Sequence, residues 1–395
     1  KGKVIGVVQL INKLRPRRRS SDSVEKRTNR VPERNIIAFS ENDERLMNTF
    51  ASQAAIALDN AKLSEDIGQL FESFVRASVT AIEARDPSTS GHSDRVADLT
   101  VYFAERVDAL SDGQYQQVTF TRDQIREIRY AALLHDFGKI GVKENVLLKA
   151  KKLYPHELDS IKGRINVLRA NNEARMWREL CEKLVYQEVA GKDAENEIGR
   201  ALWKIDSFNR RLEEIKKGIF TANEPQVMAD DFDIQQLLEW IKKLSQDLGR
   251  DIITSDEKLR LLIPRGTLSD EERKEIESHV AHTYEYLKQI HWTEDLANVP
   301  DIAHGHHEKL DGTGYPLGIK SDQISIQARM MTISDIFDAL TAMDRPYKKS
   351  VSTERALESL DWEANDGKLD TGLLKIFLEA EIFNVVTGKK KKNAA

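Results

Sequence analysis

The most constraining stretch of this chain is Ala131-Ala132-Leu133-Leu134-His135-Asp136, an apolar run that ends directly in a histidine and an aspartate. Residues 131–134 read as a buried helix face, so His135 and Asp136 are carried inward with it. Desolvating both without partners is expensive. A metal ion removes that penalty, because imidazole and carboxylate together suit first-row transition ions. Asp136 has two oxygens and can bridge two such ions. Lys139 lies three residues beyond Asp136 and four beyond His135, so on a helix it projects over the same face. There it can contact a phosphate or help protonate a leaving oxygen.

The other metal-type residues are unevenly spread. Of nine histidines, six fall between 279 and 307, and His92 lies near Asp86. Five segments concentrate His, Asp and Glu: Glu83-Ala84-Arg85-Asp86 with Gly91-His92; His135-Asp136-Phe137-Gly138-Lys139; His279; His306-His307-Glu308 running into Asp311-Gly312-Thr313-Gly314-Tyr315-Pro316; and Asp335 with Asp338. Any one pair alone is more simply a surface or capping pair. Their joint occurrence is what argues for a site. His156, His282, His291 and His304 are assigned to packing or solvent.

Composition bounds the rest. The 395 residues suggest two to three domains, and 40% hydrophobic residues suffice for a buried core. No run reaches the ~20 apolar residues of a membrane span. With 60 Lys+Arg against 65 Asp+Glu, the net charge of −5 argues against a polybasic nucleic-acid coat and a DNA partner. The single Cys181 excludes a disulfide framework or a Cys-based zinc module and fits a reducing cytoplasm. The chain opens at Lys1, without Met and inside an apparent strand, as a fragment would.

Residues 3–12 read as a strand and 14–36 as a long loop, whose Arg15, Arg17, Arg18 and Arg19 form either a phosphate or membrane patch or a solvated loop. Ser40 with Asp43 predicts a helix start. Leu46, Phe50, Ala54, Ala57, Ala61, Ile67 and Leu70 then carry a helix to Asp86-Pro87, with only Gly68 interrupting. Such a helix either packs against a partner helix or lies on its own domain. Between about 150 and 260 sits a block with its own period (Ile198, Leu202, Ile205, Phe208, Leu212, Ile215, Ile219, then Ile234, Leu237, Ile241, Leu244) and no metal-type cluster. It reads as a helical hairpin that docks a partner or adds core. Ser269 with Glu272 marks the next helix start.

Two resemblances follow from these residues. Gly6-Val7-Val8-Gln9-Leu10-Ile11-Asn12-Lys13, with the helix through Phe50 into Ala55-Ile56-Ala57-Leu58-Asp59-Asn60-Ala61, resembles the C-terminal end of a GAF sensor domain. The motifs Arg85-Asp86-Pro87 … Gly91-His92, His135-Asp136-Phe137-Gly138-Lys139-Ile140-Gly141, His306-His307-Glu308, Asp311-Gly312-Thr313-Gly314-Tyr315-Pro316 and Asp335 … Asp338-Ala339-Leu340-Thr341 … Asp344-Arg345-Pro346-Tyr347 resemble the HD-GYP subgroup of the HD metal-dependent phosphohydrolases. That likeness spans about 70–150 and 260–380. It implies a mainly α, all-helical HD-type catalytic domain with a helical insertion, preceded by the C-terminal part of an α/β GAF domain. The expected division is 1–66 GAF end and linker helix, 67–150 first catalytic part, 151–260 insertion, and 261–395 second catalytic part.

The resemblance implies one divalent transition metal, iron or manganese, on His92, His135, Asp136 and Asp335, and a second on Asp136, His279, His306 and His307. It implies hydrolysis of cyclic di-GMP to linear pGpG, in some members onward to GMP. The alternatives are a phosphodiesterase preferring cyclic GMP-AMP and a non-catalytic receptor. Asp136, Lys139 and Asp86 would be catalytic, with Lys139 serving the leaving ribose oxygen. Arg345, Lys348, Tyr315 and Lys139 would contact substrate. Some members place a Glu four residues before the first motif histidine, where it helps hold a third metal. Ser88 stands there, which predicts two metals. The long helix predicts a homodimer through 41–85, in a cytoplasmic signalling enzyme without a transmembrane segment in this stretch.

Overall fold

A computed structural model of the chain describes residues 8–9, 13–14, 36–86, 89–227, 232–342 and 351–387. It divides into two compact units, Lys1–Ala77 and Ser78–Ala395. In the first, β1 (Lys13–Leu14) pairs antiparallel with β2 (Ile36–Ile37), so the two ends of the expected loop are drawn together. Pairing partners so far apart in sequence leave no local signature. The strand expected at 3–12 lies outside the described residues apart from Val8 and Gln9, which are in no regular element. The arginines at 15, 17, 18 and 19 also lie outside.

Helix α1 (Glu41–Arg85) starts where the Ser40–Asp43 signal places it. The Ser40 backbone N–H donates to Asp43 Oδ2 at 2.7 Å, and Asp43 N–H returns to Ser40 Oγ at 3.3 Å. Gly68 does not break it. A glycine inside a long helix weakens it by only about 1 kcal/mol relative to alanine.

The second unit is built of helices α2 (His92–Asp108), α3 (Arg122–Leu134), α4 (Glu144–Leu147), α5 (Pro155–Tyr186), α6 (Gly191–Ala222), α7 (Phe232–Leu248), α8 (Ser255–Leu261), α9 (Asp270–Leu287), α10 (Val299–His304), α11 (Ile326–Thr341), α12 (Thr353–Asn365), α13 (Thr371–Glu379) and α14 (Asn384–Thr387). Ser269 caps α9 through the reciprocal Ser269–Glu272 box expected from sequence. No described helix is long and apolar enough to cross a membrane.

Among the described residues, two apolar clusters organise much of this unit. Phe103 of α2, Phe337 of α11 and Phe377 of α13 centre the first, with ring centroids 5.5 and 5.6 Å apart. The second gathers Ile161 and Ile165 of α5, Leu212, Ile215 and Ile219 of α6, and Leu237 and Ile241 of α7. The 3.6-residue period thus finds its partners within the block itself. Ile198 and Leu202 do not: they are 38% and 49% exposed, although Ala201 between them is buried.

Candidate metal centre

Five places in the fold supply the seven expected ligands. His92 opens α2, His135 and Asp136 follow α3, His279 lies in α9, His306 and His307 follow α10, and Asp335 lies in α11. The apolar run ahead of His135 is buried as expected, Ala131 through Leu134 being at most 3% exposed. The helix does not continue through Lys139, however. It stops at Leu134, and Lys139 sits in a 3-10 turn, Phe137–Gly141. The tighter turn still brings Lys139 Nζ to 2.8 Å from Asp136 Oδ2 and 3.2 Å from Asp86 Oδ2.

Gly138 allows that turn to press against α9. A Cβ there would lie 1.9 Å from the His279 carbonyl oxygen and 2.4 Å from Thr283 N. Thr283 Oγ1 accepts the Gly138 N–H at 2.8 Å and donates to the His135 carbonyl at 2.9 Å, which joins the two elements.

The ligands fall into two groups. His92, His135 and Asp136 present donor atoms within 4.8 Å of one another, and so do His279, His306 and His307. Asp136 reaches both: Oδ2 lies 3.5 Å from His135 Nε2 and 3.8 Å from His92 Nε2, while Oδ1 lies 3.3 Å from His279 Nε2. Asp335 spans them as well, with Oδ1 3.1 Å from His92 Nε2 and Oδ2 4.0 Å from His307 Nδ1.

Outer hydrogen bonds orient the imidazoles. Nδ1–H donates to the backbone carbonyl three residues earlier in His135, His279 and His306, at 2.7, 2.6 and 2.5 Å, to Ala132, Ile276 and Ala303. His92 Nδ1 instead meets Asp338 Oδ2 at 2.7 Å, and Arg95 holds that carboxylate through two contacts at 2.6 and 3.1 Å. With the proton on Nδ1, the Nε2 lone pairs of His135, His279 and His306 face inward, as in metal-binding histidines. His306 Nε2 is buried with no hydrogen-bond partner among the described residues, which is unfavourable unless a cation takes it. The donor set fits two divalent ions.

The electrostatics agree. Burial, with His307 and His135 nearby, holds His306 well below its ordinary value, and burial brings His307 down to about 3. Both are neutral imidazoles at physiological pH. Burial also acts on His92, but its hydrogen bonds to Asp335 and Asp338 and the charges of Asp335 and Asp136 outweigh it and raise His92 to about 9. Asp136 stays well below the usual carboxylate range, because Lys139, His135 and His279 overcome its burial.

Tyr315 stacks on His307, centroids 4.7 Å apart, and so walls the centre. Glu308 serves the loop: its oxygens accept the N–H groups of Leu317 and Ile319 at 2.7 and 3.1 Å. His304 stacks on Tyr284, His282 on Tyr286 and His156 on Tyr154, while His291 is exposed. Ser88, Arg345 and Lys348 lie outside the described residues. The supporting roles of Asp338, Arg95 and Thr283 have no isolated sequence signal. The i, i+3 spacing of Asp335 and Asp338 on one helix is the nearest hint.

An HD domain family model matches residues 89–216, and another, also described as an HD domain, matches 245–373. The first HD match contains His92, His135 and Asp136, and the second contains the other four ligands. A cyclic di-GMP phosphodiesterase of Vibrio cholerae is 31% identical over 230 residues, 57% of this chain and 44% of that protein. A 3'3'-cGAMP-specific phosphodiesterase of Vibrio cholerae is 36% identical over 124 residues, 31% of this chain and 25% of that protein. A cyclic di-GMP phosphodiesterase of Pseudomonas aeruginosa is 41% identical over 85 residues, 21% of this chain and 20% of that protein. The chain thus spans less than half the length of each of these relatives.

Proposed function

We propose that this chain is a two-metal phosphodiesterase of the HD-GYP kind that opens cyclic di-GMP to linear pGpG. The observation that carries the reading is Asp136, whose two oxygens are aimed at different histidine groups while Lys139 stands beside it. His92, His135, Asp136 and Asp335 would hold one iron or manganese ion, and Asp136, His279, His306 and His307 the other. Bound there, the metals supply an activated water nucleophile and neutralise charge on the phosphoryl oxygens.

The protein's own groups do the remaining work. Lys139 is largely desolvated, yet Asp136 and Asp86 raise its pKa, so it remains an ammonium. It therefore stabilises the leaving ribose oxygen chiefly as a fixed positive charge. Asp86 orients it. Tyr315 shapes the wall of the pocket, and Arg345 with Lys348 would hold the substrate phosphate or guanine.

Preference for 3'3'-cGAMP is the second reading, favoured by the name of one Vibrio cholerae relative. Residues 1–66 are read as the end of a GAF domain and a linker, 67–150 and 261–395 as the catalytic parts, and 151–260 as an insertion, in a cytoplasmic enzyme. Leu63, Ile67, Leu70 and Phe74, 56–71% exposed at 4-3-4 spacing on α1, suit a homodimeric helix pair. The test is anaerobically purified protein loaded with defined Fe or Mn and assayed by chromatography against both cyclic dinucleotides. Linear product from wild type, and neither metal nor turnover in Asp136→Ala, is expected. Binding without turnover by the metal-loaded protein would overturn the enzyme reading in favour of a receptor.

A further inference from the structure

Two side chains in the last turn of α1 grip the backbone on either side of the His92, His135 and Asp136 group. Gly91 caps α2 directly before His92 and has no side chain with which to satisfy the free N–H groups there. Glu83 provides the acceptor from α1: Oε2 takes the Gly91 N–H at 2.9 Å, and Oε1 lies 3.4 Å from the Ser93 N. Its negative charge also faces the positive end of the α2 dipole. Two residues on, the Arg85 guanidinium donates to the carbonyls of Ile140 and Val142, the latter at 2.7 Å, where the 3-10 turn bearing Lys139 ends. One short piece of α1 is thereby tied to the start of His92's helix and to the end of the turn that follows Asp136.

We propose that Glu83 and Arg85 are positioning residues of the metal centre, setting the spacing between His92 and the His135–Asp136 pair and hence the affinity of the metal held there. The second group has further braces of its own, the Ile276 and Ala303 carbonyls and Thr332 Oγ1, which donates to the His306 carbonyl at 2.8 Å. The effect is therefore largest on the metal nearest His92, and smaller on the other, which it reaches only through the shared Asp136. This inference rests on the two-metal reading above.

Calorimetric titration of metal-free protein with Mn(II), with the electron paramagnetic resonance spectrum of each loaded form, tests both ideas separately. Glu83→Ala and Arg85→Ala should each weaken one binding step by roughly tenfold or more and the other distinctly less. The weakened step should be the one that His92→Ala removes and His306→Ala keeps. Glu83→Gln, which retains one acceptor oxygen, should recover part of the affinity. Glu72→Gln, earlier on the same helix, should match wild type. If the alanine variants do not fold, Glu83→Gln and Arg85→Lys decide by the same comparison. Wild-type values for both steps in the Glu83 and Arg85 variants, or equal weakening of both steps in folded protein, overturn the positioning role alone. A wild-type chain that binds no Mn(II) removes the two-metal reading, and this proposal with it.

Discussion

Replacing Gly138 with alanine introduces one methyl group at the tightest point of the metal centre. The new Cβ would stand 1.9 Å from the His279 carbonyl oxygen, whereas real Cβ contacts essentially never fall below 3.0 Å. The gap to be opened is 3.0 − 1.9 = 1.1 Å, and the clashing atoms are backbone, so α9 itself must retreat. Overpacking of this kind costs about 1–3 kcal/mol. Retreat also stretches the Gly138–Thr283 and Thr283–His135 hydrogen bonds, worth about 1 kcal/mol each. The expected loss is therefore roughly 3–5 kcal/mol. His279 moves with its helix, away from the Asp136 oxygen now at 3.3 Å, so metal affinity should fall as well. Urea denaturation of metal-free protein measures the first effect, and metal content after dialysis the second. Gly199→Ala is the control. It lies within α6 with nothing within 4 Å of its would-be Cβ, and should gain about 0.5–1 kcal/mol from the lower entropy of the unfolded chain. A Gly138→Ala protein with the wild-type urea midpoint and full metal load would refute the packing argument.

Lys139→Met should keep both metals yet lose roughly 10²–10³-fold in turnover, if the ammonium stabilises developing charge as argued; unchanged turnover in single-turnover assays would count against that role. Glu272→Gln should destabilise the fold by roughly 3–5 kcal/mol, since it leaves Lys149, whose side chain is 1% exposed, without its charged partner at 2.6 Å. Burial raises the Glu272 pKa, but Lys149 and Tyr154 outweigh it, so its folded value lies below the ordinary 4.5. Its stabilisation is thus present above pH 4.5 and is lost as pH falls through the lower folded value, and the glutamine variant should lack that part of the acid transition in thermal melts. Chelator treatment should lower the thermal midpoint, and metal restored at 100 times its Kd should return about 2.7 kcal/mol of stability. Identical melts with and without metal would exclude a resident ion at this centre.

Much of the site is legible in the order of the residues. Ala131 through Asp136 announces a buried polar pair, because an apolar helix face dictates where its next residues go. The capping signals at Ser40 and Ser269 work for the same reason: both involve partners three residues apart. The end of α3 at Leu134 is not legible, since the 3-10 turn is held by Gly138 packing on Thr283, 145 residues away. Ile198 and Leu202 carry the same period as Ile215 and Ile219, yet only the latter pair is buried, because periodicity marks a face without saying how far its partner extends.

The sequence alone determined the helical class, the long α1, the apolar faces and the chemistry of the ligands, all properties of neighbours along the chain. Only the tertiary structure decided that Asp136 divides its oxygens between two histidine groups, that Asp338 and Arg95 hold His92 from 246 and 3 residues away, and that Glu83 and Arg85 brace the group from outside. These depend on six separate places in the fold converging. Packing of distant apolar faces sets that convergence, and it leaves no periodic trace in the residues it brings together.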